Sequence, residues 1–363
     1  MQISKRNGTV EAYEAGKIKR AMGAAFASVG TVLDDEEADR LIARIERAMA
    51  SAEQSEGGSV SVEDVQDLVE RALMEANHYE ELKSYILYRE DRARKRAARE
   101  RLCAQLPSVP ALPGVLASVQ KEFPGEEYEL AHLSAKFQSF AKPDAADGQL
   151  LAMLVKAAVE LTTQEAPRWE IIAARLLMVQ FDRALAERLA ARHIETFAQK
   201  VAFLTEEGLY GDYILQHYTP AELDEAAGFI DLSRNDLFTY AGLQLLLDRY
   251  VIRTHQGAPL ESPQEMFLGI ALHLAMEERE GERMGWVRRF YDMLSTLKVT
   301  MATPTLSNAR KPFHQLSSCF IDTVPDSLDG IYRSIDNFAK VSKYGGGMGL
   351  YMSLIHISEP TRP

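Results

Sequence analysis

The chain has 363 residues, a hydrophobic fraction of 46% and a formal net charge of −12. Its length is typical of two or three domains of roughly 100–200 residues each, and its composition is typical of a globular protein. The acidic balance argues against a broad nucleic-acid-binding surface, because such a surface needs clustered positive charge. No apolar run approaches the roughly 20 residues that span a bilayer, and the first residues lack the apolar stretch of a signal peptide. The sequence therefore predicts a cytoplasmic protein without membrane or nucleic-acid partners.

The chain contains two cysteines, Cys103 and Cys319. They lie far apart in the sequence and fit neither a disulfide framework nor a four-ligand zinc site. The sequence therefore predicts no metal site in this chain.

Residues 1–13 are predicted to form a small hairpin, because Asn7-Gly8 is a strong two-residue turn signal. Helical patterns follow over residues 15–28, from 34–36 to about 50, over 61–76 and over 79–100, and a polar loop is expected over 51–60. Pro107, Pro110 and Pro113 then break the helical pattern and indicate a linker, which we place at residues 96–125.

Residues 127–204 again have a helical pattern, and further helices are expected at 222–229, 236–253, 263–280 and 281–297. The segments 155–161 and 174–177 echo the segments 69–75 and 85–88. A degenerate second copy of the first helical half and two ordinary amphipathic helix pairs explain this echo equally well. At Val299 the character changes, and β-like runs at 315–321 and 345–352 indicate that an α/β domain begins there.

Basic residues cluster around the predicted hairpin. Lys5 and Arg6 lie beside the turn, and Lys17 lies near the start of the next helix. Lysine and arginine both bind phosphate, and a helix N-terminus adds free backbone N–H groups. On its own, Lys-Arg-Asn-Gly would more often be a solvated basic turn.

The hairpin, the four helices and the closing Tyr-Ile-Leu-Tyr-Arg-Glu-Asp-Arg-Ala-Arg of residues 85–94 together resemble the ATP-cone domain over nearly all of residues 1–95. That family binds ATP or dATP, with Mg, as an on/off signal. The resemblance assigns nucleotide binding to Lys5, Arg6, Glu11 and Lys17. The chain departs from the commonest pattern at Asn7, where aspartate is usual, but asparagine keeps the turn.

The most specific pattern is Met-Ala-Thr-Pro-Thr-Leu-Ser-Asn-Ala-Arg at 301–310, followed by His-Gln-Leu-Ser-Ser-Cys-Phe-Ile at 314–321. A single cysteine among hydroxyls is by itself usually a small buried hydrophobe. The whole run, however, resembles the opening strand of the ribonucleotide reductase barrel. The resemblance implies that Cys319 is one of two thiols that reduce the ribose 2′ position, and that Thr303 and Ser318 contact substrate. A dithiol supplies the two electrons of such a reduction when it becomes a disulfide, which a mobile C-terminal cysteine pair then reduces again.

Two further segments extend the resemblance. Asp326 or Ser327 could simply cap a helix, but by resemblance Asp326, Ser327 and Leu328 begin the site for the effector that sets base specificity. The glycine-rich Lys-Tyr-Gly-Gly-Gly-Met-Gly-Leu-Tyr of 343–351 follows a predicted helix, whereas a dinucleotide-binding loop follows a strand. The reductase family has a matching loop that approaches substrate, which makes Gly346 and Gly347 candidate substrate-binding residues.

The resemblance as a whole is to the N-terminal part of a class I ribonucleotide reductase large subunit, which reduces ribonucleoside diphosphates to 2′-deoxyribonucleotides. It implies a mainly α chain: an α+β ATP-cone at 1–95, the linker, an all-α domain at 126–298 and the incomplete start of a ten-stranded α/β barrel at 299–352. The implied partners are nucleotides, a radical-generating small subunit, thioredoxin or glutaredoxin as reductant, and a second large subunit. ATP or dATP is the expected effector, and no metal or organic cofactor is expected in a class I large subunit.

The last residues, 353–363, resemble the conceptual translation of a transposon-type sequencing adapter, the alternative being a genuine divergent terminus. We expect the radical-bearing cysteine, the partner of Cys319 and the C-terminal thiol pair to be encoded downstream. The polypeptide as written is therefore predicted to be inactive as a reductase.

Three other interpretations of the sequence are possible. A non-catalytic ATP/dATP-sensing regulator built on an ATP-cone would carry a zinc ribbon, which the two isolated cysteines exclude. A purely helical interaction protein would leave the hairpin and the Cys319 segment unexplained. A cobalamin-dependent class II reductase stays open.

Overall fold

The computed structural model describes residues 2–5, 9–56, 60–142 and 144–352, without the side chains of 53–56. The chain divides into two compact units, Met1–Arg101 and Leu102–Pro363. Arg6, the predicted turn at Asn7-Gly8 and the segment 353–363 lie outside the described residues.

A three-stranded sheet opens the first unit. It consists of β1 (Gln2–Ser4), β2 (Val10–Ala12) and β3 (Val60–Ser61) in the order β2-β1-β3. The strands β1 and β2 pair antiparallel, with Ile3 opposite Glu11, whereas β1 and β3 pair parallel. The predicted hairpin is confirmed in the two strands that form it.

Helices pack beside this sheet: α1 (Ala15–Ser28), α2 (Asp35–Glu56), α3 (Val62–Glu75) and α4 (Tyr79–Ala104). Ser61 caps α3 in a capping box with Asp64, which satisfies two backbone N–H groups at the helix start. The apolar faces of these helices meet in one core; its most buried members include Met22, Ile45, Met49, Val69 and Leu73. The α2 helix runs six residues beyond the predicted end at about 50, into the segment expected to be a polar loop.

The second unit is mostly helical. Its helices are α5 (Leu112–Glu122), α6 (Leu130–Gln138), α7 (Asp147–Glu160), α8 (Trp169–Ala190), α9 (Phe197–Glu206), α10 (Tyr213–His217), α11 (Pro220–Ala227), α12 (Tyr240–Leu245), α13 (Pro263–Ala275), α14 (Glu280–Ser295) and α15 (Thr303–Asn308). Within the described part of 102–250 there are helices and turns but no strand. A second copy of the first unit in this region would therefore lack its sheet.

The segment 96–125 differs from the predicted linker. The α4 helix continues to Ala104, and α5 contributes Leu112, Leu116 and Val119 to the interior. Pro113 lies in the first turn of α5, where a missing N–H costs nothing. Pro113 therefore starts a helix, whereas Pro107 and Pro110 are exposed residues of the short connection between α4 and α5.

The single helix predicted over 236–253 is also replaced by shorter pieces. A 3-10 helix covers Leu232–Leu237, Thr239 caps α12 by accepting from the Gly242 N–H, and a π-helical turn covers Leu246–Tyr250. This turn matters for the site, because it ends at Tyr250.

The chain then forms a β-α-β unit from β4 (Cys319–Thr323), α16 (Leu328–Lys343) and β5 (Gly347–Tyr351). The two strands pair parallel, with Cys319 opposite Gly347. The β-like run predicted over 345–352 is confirmed in β5, as is the order of helix before glycine loop. Of the run predicted over 315–321, only 319–321 lie in a strand, since β4 begins at Cys319. The run 301–310 is different: its TPTLSN portion forms the short helix α15 and not a strand. In the described part of the chain, no helix is both long and apolar enough to cross a bilayer.

Candidate functional site

A cavity of about 220 Å³ lies in the first unit. Its walls come from β1, β2 and the start of α1 on one side and from α3 and α4 on the other. Apolar side chains form most of the lining; they include Ile3, Ile18, Val62, Val65 and Val69. The cavity can therefore take an apolar group, and several polar side chains also contribute to its lining.

The cavity lining includes three of the residues that the resemblance assigns to nucleotide binding, namely Lys5, Glu11 and Lys17. Lys5 donates to Glu11, and Lys17 Nζ lies 3.9 Å from Glu11 Oε2 and 3.2 Å from Glu14 Oε1. The hydrogen bond from Lys5 lowers the pKa of Glu11, so this carboxylate is ionised between the two lysines. Both lysines remain about half exposed, and their ammonium groups are accessible to an anion.

Tyr13 is a residue that the sequence did not single out. It lines the same cavity, and its hydroxyl makes no hydrogen bond of normal geometry within the described structure. Burial, followed by the charge of Glu46 and a hydrogen bond with it, raises the pKa of Tyr13 to about 12. The hydroxyl is therefore protonated and buried, and it interacts with Glu46.

In the second unit the pairing of β4 with β5 brings the predicted substrate residues together. Cys319 and Gly347 are opposite each other at the first position of each strand, and the Gly347 N–H donates to the Ser318 carbonyl at 2.6 Å. The Ser318 hydroxyl lies 3.5 Å from Cys319 Sγ. Cys319 is exposed and makes no disulfide. Its thiol is thus open to solvent beside a hydroxyl and a glycine backbone.

The glycine loop leaves little room for side chains. Gly345 has φ +82°, which favours glycine, and a Cβ on Gly346 would lie 2.7 Å from Val341 Cγ1 and 2.8 Å from Phe320 Cε2. A Cβ on Gly345 would lie 4.0 Å from Thr303 Cγ2. The predicted substrate residues Thr303, Ser318, Gly346 and Gly347 therefore lie in one neighbourhood with Cys319.

Asn308, which was not among the predicted site residues, connects the segments of this neighbourhood. The side chain is buried, and its Nδ2 donates at 3.0 Å to the carbonyls of both Gln315 and Tyr344. One amide thus joins α15, the segment before Cys319 and the residue before the glycine loop.

A buried ion pair between Arg310 and Glu261 stabilises the end of α15. Arg310 and Glu261 are both 0% exposed, and Arg310 Nε lies 2.9 Å from Glu261 Oε1. Arg310 also donates to the carbonyls of Leu306 and Tyr250, at 2.8 and 2.7 Å. The second oxygen of Glu261 accepts from the Tyr210 hydroxyl at 2.7 Å. Such complete pairing is what a buried charge requires.

Tyr250 connects the ion pair to the predicted substrate residue. Its carbonyl accepts from Arg310, and its hydroxyl lies 3.2 Å from Thr303 Oγ1. The π-helical turn that ends at Tyr250 places both groups, and turns of this kind are frequent at functional sites.

A cluster of Tyr213, His273 and His314 holds the other end of the same segment. The Tyr213 hydroxyl donates to the Ala309 carbonyl at 2.7 Å, and His273 Nδ1 lies 3.0 Å from that hydroxyl. The ring of His314 lies 4.5 Å from the Tyr213 ring and 5.4 Å from the His273 ring. Burial, followed by the charge of His314, lowers the pKa of His273 to about 4. His273 is therefore a neutral, structural histidine at physiological pH.

The predicted specificity residues lie apart from Cys319. Ser327, and not Asp326, caps α16 by accepting from the Gly330 N–H at 3.1 Å. All three of Asp326, Ser327 and Leu328 are exposed. They follow the end of β4, whereas Cys319 begins it, so the length of the strand, about 13 Å at 3.3 Å per step, separates them from the thiol.

Three family models match successive parts of the chain. The ATP cone domain matches residues 1–94, the all-alpha domain of ribonucleotide reductase matches 236–314, and its barrel domain matches 317–359. The matched barrel thus begins at 317, later than the predicted boundary at 299, and it reaches into the segment 353–363, whose origin stays a prediction.

Curated relatives carry the name ribonucleoside-diphosphate reductase subunit alpha. The protein of Treponema pallidum is 54% identical over 100% of this chain and 43% of its own length. That of Chlamydia trachomatis is 32% identical over 96% of this chain and 35% of its own length, and subunit alpha of reductase 1 from Escherichia coli is 30% identical over 54% of this chain and 26% of its own. The chain thus spans less than half the length of these relatives. Because its similarity to a named alpha subunit runs from end to end and three family models match in the expected order, the chain belongs to the ribonucleotide reductase large-subunit family.

Proposed function

We propose that the chain acts as part of a class I ribonucleoside-diphosphate reductase large subunit, an oxidoreductase that makes 2′-deoxyribonucleotides for DNA synthesis in the cytoplasm. The observation that carries this proposal is the exposed Cys319 thiol, paired across β4 and β5 with Gly347 and adjacent to Ser318. In the overall reaction two thiols become one disulfide, the 2′ carbon gains hydrogen, and the 2′-hydroxyl leaves as water.

The surrounding residues suit a nucleoside diphosphate. The hydroxyls of Thr303 and Ser318 can donate to phosphate oxygens without adding charge. The N–H groups of the glycine loop already donate to backbone carbonyls, so the loop would contact a substrate by its close backbone approach. Family chemistry uses a radical-bearing cysteine and two reducing thiols, whereas the chain has two cysteines in all. We therefore expect no ribonucleotide turnover by these 363 residues alone.

Thiol protection tests the substrate site without requiring turnover. We expect CDP to slow the alkylation of the exposed Cys319 several-fold and to leave the half-buried Cys103 unchanged as an internal control. Thr303→Ala should weaken this protection. Alkylation of Cys319 at the same rate with and without saturating CDP would contradict the proposed substrate site.

We also propose that the first unit binds ATP or dATP as allosteric effector, with Mg²⁺ on the phosphates. Lys5 and Lys17 would release the Glu11 carboxylate and bind the phosphates in its place. The apolar cavity walls would contact the base. This part of the proposal uses only residues of one compact unit.

Isothermal titration of the full chain with Mg-ATP and Mg-dATP tests the effector site. We expect binding, and at least a tenfold loss in the Lys5→Ala and Lys17→Ala variants. Lys83→Ala, which removes an exposed lysine of α4 outside the cavity, is the matched control. Equal affinity in all three variants would refute the assignment.

The proposed partners follow from the family and from one surface. The α16 helix exposes an apolar stripe, consisting of Leu328, Ile331, Tyr332, Ile335 and Phe338. A second large subunit covering this stripe, next to Asp326 and Ser327, would fit an effector site near a subunit interface. A radical-generating small subunit and thioredoxin or glutaredoxin complete the proposed assembly. A class II reductase is the second candidate function. A non-catalytic ATP/dATP sensor is a weaker candidate, because it would leave the Cys319 neighbourhood without a role.

A further inference from the structure

A large cleft in the second unit takes no part in the proposed function. Its volume is about 720 Å³, and α5, α8 and the 3-10 helix Leu232–Leu237 form its walls. Its lining residues lie between Ser108 and Asp236, so all but the last of them fall outside the ranges that the three family models match. The Cys319 neighbourhood contributes no residue to it.

The cleft combines an apolar wall with a negative charge excess. Its apolar lining includes Val109, Pro110, Val115, Met178, Val179 and Leu232. Its charged lining residues are two arginines, Arg175 and Arg183, and three acids, Asp182, Glu187 and Asp236. The formal sum of these five charges is −1.

The arginines are already neutralised by neighbouring acids. Arg175, whose side chain is 6% exposed, lies 2.6 Å from Glu122 and 3.1 Å from Asp236. Arg183 lies 3.1 Å from Glu187 and 3.9 Å from Asp147. Neither arginine therefore compensates a further carboxylate in the cleft.

Asp182 is that further carboxylate. It makes no ion pair or hydrogen bond with any side chain in the described part of the structure. Although Asp182 is accessible to solvent, the surrounding protein, followed by the charge of Glu265, raises the pKa of Asp182 to about 6. An accessible but partly desolvated carboxylate at the wall of a cleft attracts a cation more strongly than one on an open surface.

We propose that this cleft binds an organic cation, an ammonium or guanidinium group on an apolar stem, with Asp182 as its counter-charge. Met178 and Val179 would contact the stem. Arg175 Nη1, which is buried and has no hydrogen-bond partner within the described structure, could donate to a carbonyl or hydroxyl of the same ligand. A metal ion fits less well, because no three acidic, histidine or cysteine side chains among the described residues are placed to hold one.

Two probes of equal shape test the charge requirement on the unmodified chain. Butylguanidinium and its neutral isostere butylurea are titrated at pH 7.5, where Asp182 is ionised, and chemical shifts or heats are followed. We expect butylguanidinium to bind at least tenfold more tightly. Equal affinity, or no binding of either probe, would overturn the proposal.

One variant and its control then assign the counter-charge. Asp182→Asn should abolish the preference for butylguanidinium, and it should fold normally because it removes an unpaired charge. Glu206→Gln, the same charge change at an exposed position outside the cleft, should leave the preference intact. A preference that persists in Asp182→Asn overturns the assignment.

A blocked arginine, acetyl-arginine methylamide, distinguishes the source of the cation. Tighter binding than butylguanidinium indicates a basic side chain of a peptide, since the added carbonyls then contribute. Equal or weaker binding indicates a free small molecule.

Discussion

Arg310 is the residue on which the substrate-side segment most depends. Its guanidinium is fully buried against Glu261 and also holds the carbonyls that end α15 and the π-helical turn. Arg310→Met would leave the Glu261 carboxylate buried and uncompensated. We expect a loss of about 3–5 kcal/mol in the free energy of unfolding, measured by urea denaturation with tryptophan fluorescence, which reports the second unit because Trp169 and Trp286 both lie there.

The double variant Arg310→Met, Glu261→Met is the control for this prediction. It removes both charges, so part of the lost stability should return, although the Ile252 N–H and the Tyr210 hydroxyl lose their acceptor. A single variant as stable as the parent chain would show that the buried pair contributes little.

His273 gives the second unit a predictable pH dependence. The pKa of His273 is about 4 in the folded chain, whereas a histidine in the unfolded chain has the ordinary value of 6.5. Between these two pH values the unfolded chain therefore binds more protons than the folded one. Stability contributed by neutral His273 is therefore complete above about pH 6.5 and is lost as the pH falls towards 4. His273→Asn keeps a donor near Tyr213 but does not titrate. We expect the urea midpoint to fall less between pH 7.5 and 5 in this variant than in the parent; parallel curves would contradict the assignment.

The contacts of Arg310 and Tyr213 could not be predicted from the sequence. Cys319, Ser318 and Thr303 were recognised because their local motif resembles a family. Arg310 and Glu261 are separated by 49 residues and Tyr213 and Ala309 by 96, so only the tertiary fold brings them together. Arginine is usually exposed. For this reason no structural role was predicted for Arg310, although it belongs to the motif at 301–310.

At the scale of elements, the glycine loop is the most sensitive link between α16 and β5. A Cβ on Gly346 would clash with Val341 and Phe320, whereas a Cβ on Gly349 would meet its nearest atom, the Phe320 carbonyl oxygen, at 3.8 Å. We expect Gly346→Ala to force the loop away from β4 and to accelerate hydrogen exchange of the Gly347 amide, which is bonded to Ser318.

Gly349→Ala is the matched control, because it adds the same methyl group within β5 itself. Its exchange should stay close to that of the parent chain. Slow exchange in both variants would mean that the loop tolerates a side chain at Gly346.

Helices with a clear apolar period were predictable, because burial of one face determines both their existence and their orientation. The predicted bounds of α1, 15–28, agree with the observed ones. Predictions of where a helix begins, ends or is interrupted were less successful. Pro113 lies in the first turn of α5, where a linker was expected. The apolar pattern over 236–253 predicted one helix and did not indicate the π-helical turn, which depends on the contacts of Tyr250 and not on local propensity.

At the scale of the whole molecule, each unit has a core of its own. The core of the first unit draws on residues between Ile18 and Tyr85, and the large core of the second on residues between Ala174 and Ala309. Regulation and chemistry are thus proposed for separate packing units of one chain. This separation makes it possible to observe the effector site without a working reductase.

Urea unfolding with two probes tests the independence of the units. Circular dichroism reports the helices of both units, whereas tryptophan fluorescence reports only the second, since the first contains no tryptophan. Mg-ATP at about 100 times its dissociation constant should stabilise the first unit by about 2.7 kcal/mol. We expect the dichroism transition to acquire an ATP-dependent component while the fluorescence midpoint stays unchanged. The combined Lys5→Ala, Lys17→Ala variant should remove that component. If ATP instead shifts the fluorescence midpoint equally, the two units unfold as one, and the effector site is coupled to the Cys319 neighbourhood through the stability of the whole chain.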